Sequence, residues 1–273
     1  MQENQKTYTL ITGGSSGIGF ELARLFARDG YNLILVARTI DDLVKAKVEL
    51  SSFGVDIVLI PLDLFNPEAP FELYREIRDE GLVVDILIND AGQGLYGHFK
   101  NTDIQRELAI VQLNISSLLV LTKLFLKDML ERGEGKIMNV SSIASRMPGP
   151  WQAVYDGTKA FVQSFTEALR SEVKEEGIVV TALMPGATDT NFFTKAEMLN
   201  SKAVQDKDKL ADPADVAEDG YEALMANEDK VVSGFKNKIK VAMSKLLPEE
   251  AVADIVNRKQ KPAETSKKDP TNS

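Results

Sequence analysis

Short, near-continuous aliphatic blocks alternate with longer segments in which apolar residues recur every three or four positions, and this alternation runs through most of the chain. The aliphatic blocks at residues 7–11, 32–37 (NLILVA), 56–62 (DIVLIPL), 84–88 (VDILI), 136–140 (KIMNV) and 178–184 (IVVTALM) predict six strands, with a short seventh at 231–233. The intervening patterns predict helices over 20–28, 41–53, 67–80, 103–131 and 151–173. Strands without an alternating polar face are buried on both sides. The order strand, helix, strand therefore predicts a mainly parallel, six- to seven-stranded α/β sheet with helices on both faces, whose ligands gather at the carboxyl ends of the strands. Each strand ends in turn-forming or polar residues: Gly13, Arg38, Asp63, Asn89 to Gly92, Ser141-Ser142 and Pro185-Gly186.

Length and composition fit this reading. The 273 residues, 44% of them hydrophobic, suit one large domain, expected over 1–257, and no repeat or linker divides it. The stretch 191–209 is polar with Phe192, Phe193 and Met198 interspersed, and reads as part of a substrate lid over about 187–209. Residues 235–247 carry Lys236, Lys238, Lys240 and Lys245 beside Ile239, Val241, Met243 and Leu246, a pattern read as a solvated helix face. Residues 258–273 are charged, poor in apolar residues and interrupted by Pro262 and Pro270, the composition of a disordered tail.

Charge and residue usage exclude several functions. A net charge of −9 argues against nucleic acid as a partner. There is no Cys and one His, which removes disulfides, thiolate sites and cysteine nucleophiles and leaves no metal site to expect. Polar residues stand where a signal peptide has its apolar core, and no run reads as 18 continuous apolar residues, so a soluble cytoplasmic protein without a membrane span is expected.

Two clusters carry chemistry. Thr12-Gly-Gly-Ser-Ser-Gly-Ile-Gly19 links the first strand to the first helix, where glycines allow close backbone approach and helix N–H groups face an anion. Tyr155 and Lys159 lie four apart on a helix, on one face, so an ammonium is available to lower the pKa of a phenol. Gly13-x-Ser15-x-Gly17 also fits a nucleophile elbow, but nothing precedes the first strand to supply a second oxyanion donor, and His98 is the only base available.

Taken in order and spacing, Thr12-Gly13-x-x-x-Gly17-x-Gly19, Asn89-x-Ala91-Gly92, Asn114, Ser142, Tyr155-x-x-x-Lys159 and Pro185-Gly186 resemble the short-chain dehydrogenase/reductase family over residues 7–235. The usual Asn-Asn-Ala-Gly is Asn89-Asp90-Ala91-Gly92 here. The resemblance implies a Rossmann-type doubly wound sheet, a nicotinamide cofactor and hydride transfer to or from a carbonyl or alcohol carbon. It implies Tyr155 as acid or base, Lys159 on the nicotinamide ribose and lowering the tyrosine pKa, Ser142 on the substrate oxygen and Asn114 supporting a water relay. It further implies cofactor contacts from Thr12, Gly13, Ser15, Ser16, Gly17, Ile18 and Gly19, from Asp63, Leu64, Asn89, Ala91 and Gly92, and from Tyr155, Lys159, Pro185, Gly186, Thr188 and Thr190. A homodimer or homotetramer packed through the Asn114 and Tyr155 helices is implied as well.

At the end of the second strand, Ala37 is followed by Arg38 where an NAD enzyme would place a carboxylate. A guanidinium suits a 2′-phosphate, so NADP(H) is favoured over NAD(H), unless Arg38 stacks on adenine or pairs with Asp41 or Asp42. Leu95, Tyr96, Met147, Trp151, Phe192, Phe193 and Met198 are the expected pocket walls and suggest a mainly apolar small-molecule substrate. The competing reading is a regulatory protein that binds NADP without turnover.

Overall fold

The strands are short because each is a both-faces-buried run cut off by a glycine turn or a polar residue. The computed structural model describes residues 6–205, 210–244 and 246–263. Strands β1 (Thr7–Thr12), β2 (Asn32–Ala37), β3 (Ile57–Pro61), β4 (Val83–Asn89), β5 (Gly135–Val140), β6 (Ile178–Met184) and β7 (Lys230–Val232) form one sheet in the order β3-β2-β1-β4-β5-β6-β7. Every neighbouring pair is parallel. The winding reverses between β1 and β4, the switch point at which open α/β sheets hold their ligands.

Alternate residues of each strand feed two separate cores. Leu10, Ile34, Val36 and Leu87 face α3 (Ala69–Asp79), α5 (Leu118–Arg132) and α6 (Ala153–Val173). Ile11, Leu33, Leu35 and Ile88 face α1 (Gly17–Arg28), α2 (Ile40–Leu50) and α8 (Pro213–Met225). Fully burying one such aliphatic side chain stabilises the fold by about 1.5–3 kcal/mol, so each strand is held from both sides. Helix α8 has a capped start, with Asp212 accepting from the Ala214 N–H and Pro213 in the first turn, yet its apolar period is broken by Asp215, Glu218 and Asp219, and sequence reading passed over it.

Between α4 (Ile104–Val111) and α5 the helix continues through a π-helical turn, Gln112–Ser117, which contains Asn114. The whole run, Ile104–Arg132, is 29 residues with a mean hydropathy of 1.8 over its most apolar stretch, and by length and composition it is the one helix among the described residues that passes as a membrane span. Its apolar residues are not continuous, because Gln112, Asn114 and Lys123 interrupt them. In the fold, Leu121, Phe125, Leu126 and Met129 of this helix belong to the core.

The segment after β6 is not the polar loop its composition suggests. It contains α7 (Phe192–Lys195), and Phe193, Ala196, Met198 and Val204 pack into a third apolar cluster; residues 206–209 of the expected lid lie outside the described residues. Helix α9 (Phe235–Ser244) bears the lysines of the basic pattern, with Lys245 outside the described residues. A further helix, α10 (Glu249–Gln260), runs through the expected domain end at 257 and the start of the expected tail. The Trp151 indole donates to Asn257 Oδ1 at 2.9 Å, and the Tyr96 hydroxyl donates to the Gln260 carbonyl at 2.5 Å. The Lys202 N–H donates to the Lys261 carbonyl and the Ala263 N–H to the Asn200 carbonyl, so residues 258–263 are docked by hydrogen bonds. Residues 264–273 lie outside the described residues.

Candidate active site

A cavity of about 320 Å³ opens at the switch point, lined by the glycine turn, by residues 90–92 after β4, by 140–144 after β5, by the start of α6, by the loop and α7 after β6, and by Val256 and Gln260 of α10. Gly13 and Gly17 sit at φ 75° and 59°, where a side chain is strained, and a Cβ on Gly19 would lie 2.6 Å from the Gly13 carbonyl. Ser16 precedes α1 without a side-chain cap, and with the Gly19 N–H turned to Asp90 it is the Gly17 and Ile18 N–H groups that are left for an anion. Of the predicted turn residues, Gly13, Ser16, Gly17 and Ile18 line the cavity and Ser15 does not. Thr12 ties β1 to β4: its hydroxyl donates to the Ile88 carbonyl and accepts from the Asp90 and Ala91 N–H groups.

The proton-transfer candidates converge on this cavity. Ser142, Tyr155 and Lys159 line it; the Ser142 hydroxyl donates to the Pro185 carbonyl at 3.4 Å and accepts from the Ala144 N–H at 3.1 Å. Lys159 is buried, donates to the Val140 carbonyl at 2.7 Å and lies 5.9 Å from the Tyr155 ring centroid. Asn114 does not line the cavity. Its amide clamps the Gln93 backbone in both directions, accepting from N–H at 3.0 Å and donating to C=O at 2.9 Å, and donates to the Thr158 hydroxyl on α6. A Cβ on Gly92 would meet both Lys159 Nζ and Asn114 Oδ1, so a glycine lets strand end, lysine and asparagine meet.

Burial overrides the expected effect of Lys159 on Tyr155. Desolvation, then the nearby Asp156 and Asp90 carboxyls, hold the phenol above its ordinary value, while the Ser142 hydrogen bond acts the other way. Lys159 is itself lowered to about 8 by burial, opposed by Asp90. Asp90 is raised to about 7 by desolvation, against the pull of Lys159 and of the Gly19 N–H. Asp156 is raised to about 8 by desolvation alone.

Other predicted positions fall around this centre. Asn89 is turned inward, donating to Thr122 and Asn139, so it is Asp90, Ala91 and Gly92 that reach the cavity. Arg38 is exposed beyond β2, 5.5 Å over the Phe65 ring, and forms no ion pair with Asp41 or Asp42. Asp63 is exposed and accepts from the Phe65 N–H, while Leu64 is buried; neither lines the cavity. Pro185, Gly186, Thr188 and Thr190 all line it, and Thr190 abuts Gly17. Met147, Phe192, Phe193 and Met198 form the apolar wall, with the Phe192 ring 5.1 Å from that of Tyr155. Tyr96 and Trp151 instead stack behind it at 5.5 Å, and His98 packs on Trp151. The cavity also takes in Gln152 and Asp156, whose signal in the sequence is their closeness to Tyr155, and Val256 and Gln260, which lie in a helix that the periodicity does not mark.

A family model described as short chain dehydrogenase matches residues 7–199. The chain is 32% identical over 248 residues to a dehydrogenase/reductase SDR family protein 7-like of Drosophila melanogaster, covering 88% of this chain and 76% of that protein. It is likewise 32% identical over 208 residues to 17-beta-hydroxysteroid dehydrogenase type 3 of Mus musculus, covering 74% and 66%. Among solved structures it resembles a short-chain dehydrogenase from Sphingobium yanoikuyae in complex with NADPH (TM-score 0.78, 27% identity, 88% and 94% covered). It also resembles a bulky-bulky ketone specific alcohol dehydrogenase from Comamonas testosteroni (TM-score 0.75, 28% identity, 89% and 94% covered). With this fold, this set of side chains at the switch point and a family match over most of its length, the chain belongs to the short-chain dehydrogenase/reductase family.

Proposed function

We propose that this protein is an NADP(H)-dependent oxidoreductase acting on a carbonyl or alcohol carbon of a mainly apolar small molecule, with Tyr155 as general acid or base. The observation that carries the reading is the meeting of Ser142, Tyr155 and Lys159 in one cavity that runs from a side-chain-free glycine turn to a wall of Met and Phe. The glycine turn fits a dinucleotide: positive φ at Gly13 and Gly17 and the uncapped start of α1 leave room and donors for a pyrophosphate. Arg38, exposed and without a carboxylate partner among the described residues, is suited to a 2′-phosphate. When bound, the cofactor supplies or accepts a hydride.

The chain's own residues handle the oxygen and its proton. Ser142 donates to the substrate oxygen as negative charge grows there, and Tyr155, kept protonated by burial, gives that oxygen its proton in reduction. Lys159, fixed by the Val140 carbonyl, holds positive charge beside the phenol below about pH 8. Asn114 fixes the β4 loop against α6 and so holds the distance between cofactor side and tyrosine. Exposed Ile104 and Leu108 on α4 and Phe161 on α6 support pairing of two copies through these helices.

The test is a screen of bulky ketones and their alcohols with NADPH, NADP, NADH and NAD. Turnover with at least one ketone, faster with the phosphorylated cofactor, is expected. Cofactor binding without absorbance change on any substrate would favour the regulatory reading instead.

A further inference from the structure

The apolar cavity wall holds polar atoms that nothing in the fold satisfies. Gln152 Nε2 and Asp156 Oδ1 are buried without a hydrogen-bond partner among the described residues, and so is Gln260 Oε1; all three side chains line the cavity that holds Tyr155. Gln152, the N-cap residue of α6, and Asp156 in its first turn are 5% and 6% exposed and flank Tyr155 in the chain. Gly94 fixes how near they are to the chemistry: a Cβ there would lie 3.2 Å from Gln152 Nε2 and 3.3 Å from Tyr155 Cδ2. Gly149 packs directly against the Asp156 carboxyl and leaves no room for a side chain, so the carboxyl is held in place. Gln260 comes from the other side, on α10, whose end is fastened by the Tyr96 and Ser201 hydroxyls donating to the Gln260 carbonyl.

Buried polar atoms without partners are rare because each one costs free energy; several in one cavity mark a place where a ligand supplies the missing bonds. Here the set needs a group that both accepts, from the Gln152 amide, and donates, to Gln260 Oε1. A hydroxyl does both, an alkyl group does neither, and a carboxylate only accepts and would face the Asp156 carboxyl. Burial raises Asp156 to about 8, so near neutral pH it is itself uncharged and suits a neutral guest.

We propose that Gln152, Asp156 and Gln260 form a receptor for a second, uncharged hydrogen-bonding group of the substrate, so that the substrate class is a hydroxylated carbonyl compound with an otherwise apolar body. This rests on the oxidoreductase reading and assigns the three side chains to specificity; proton transfer remains with Tyr155.

The probes are cyclohexanones bearing at C4 an alkyl, ω-hydroxyalkyl or ω-carboxyalkyl arm of graded length, assayed with NADPH. At the best length, kcat/KM for the hydroxyl arm is expected to exceed that of its methyl-ended isostere by about tenfold or more, with the carboxylate arm poorest. Gln152→Leu and Asp156→Leu should bring the ratio towards one, and Asp156→Asn should restore it; if Asp156→Leu does not fold, Gln152→Leu decides. A wild-type ratio of one or less at every length, or a ratio unchanged in the leucine variants, overturns the proposal and leaves ordered water as the partner of these atoms. Absence of turnover with every probe refutes the reductase reading alone. The receptor is then judged by thermal shift in the presence of NADPH: greater stabilisation by the hydroxyl arm than by its isostere supports it, and equal stabilisation overturns it.

Discussion

Asp90→Asn tests the electrostatic account of the cofactor side, because it changes one oxygen to a nitrogen at the position where this chain departs from the Asn-Asn-Ala-Gly pattern. Asp90 lies half-buried beneath the glycine turn, with Oδ2 3.2 Å from the position a Cβ on Gly13 would take and its carboxyl facing the Gly19 N–H. Its pKa rises from 3.8 to about 7, and at 1.36 kcal/mol per pH unit the ionised form is disfavoured in the fold by roughly 4 kcal/mol. Because the folded value lies above the unfolded one, the folded protein keeps this proton where the unfolded chain has lost it. The contribution is complete below about pH 4 and is lost as pH rises through about 7. An amide does not titrate but can still accept from the Gly19 N–H. The unfolding free energy of Asp90→Asn minus that of wild type should therefore rise between pH 5 and pH 7.5, by roughly 2 to 3 kcal/mol in favour of the variant.

Equilibrium urea unfolding of both proteins across that range measures the difference directly. Asp156, raised to about 8 by burial, titrates in both proteins and cancels in the subtraction. A difference that stays flat with pH refutes the reasoning, because it means that Asp90 ionises in the fold as it does in the unfolded chain. A second readout comes from Lys159, whose lowered pKa is propped up by Asp90. Losing that charge should move the alkaline limb of reductive kcat/KM from about pH 8 to lower pH, and an unmoved limb would break the link between the two groups.

Tyr155→Phe should cut reductive turnover by at least about a hundredfold while NADPH affinity, read by fluorescence titration, changes little; retained turnover would remove Tyr155 from proton transfer. Arg38→Asp replaces the guanidinium proposed for the 2′-phosphate with a repelling carboxylate, so the ratio of kcat/KM with NADP(H) to that with NAD(H) should fall by about tenfold or more, and an unchanged ratio would place 2′-phosphate recognition elsewhere. Gly19→Ala puts a Cβ 2.6 Å from the Gly13 carbonyl, with an expected loss of about 1–3 kcal/mol in thermal unfolding and weaker NADPH binding, and a variant of wild-type stability would show that the turn can give way. Reduction at saturating NADPH should decline above about pH 8 as Lys159 loses its proton; a flat profile to pH 9.5 would deny its charge a role.

What the sequence made legible follows from which forces are local. Strand and helix periods are local, and all seven strands fall within two residues of where the sequence pattern places them. The glycine turn and the Tyr155 and Lys159 pair were readable because backbone approach and an i, i+4 face depend only on neighbours in the chain. Other features depend on partners far away in sequence. Helix α10 has a mean composition that looks disordered, and its order comes from Trp151 and Tyr96, more than a hundred residues upstream. The resemblance puts Asn89 at the cofactor, but pairing with Thr122 and Asn139 draws it inward and leaves Asp90 as the cavity-lining residue. The tyrosine pKa was misjudged in the same way, since the ammonium is visible in the sequence and the desolvation is not.

That last error sharpens the reading of α6. On an exposed helix Lys159 would set the state of Tyr155, but inside the fold both groups are pushed towards their neutral forms, and Asp90 and Asp156 reinforce the phenol. A neutral phenol is the form that reduction consumes, and oxidation must first create the phenolate that this environment disfavours. The same burial leaves Gln152 Nε2, at the N-cap of α6, and Asp156 Oδ1, in its first turn, without partners beside Tyr155 among the described residues. On the proposed reading, one desolvated stretch of α6 would do two jobs. It would keep the proton on Tyr155 until a substrate oxygen takes it, and it would make an unsatisfied hydrogen bond costly enough to discriminate between substrates that differ by a single hydroxyl.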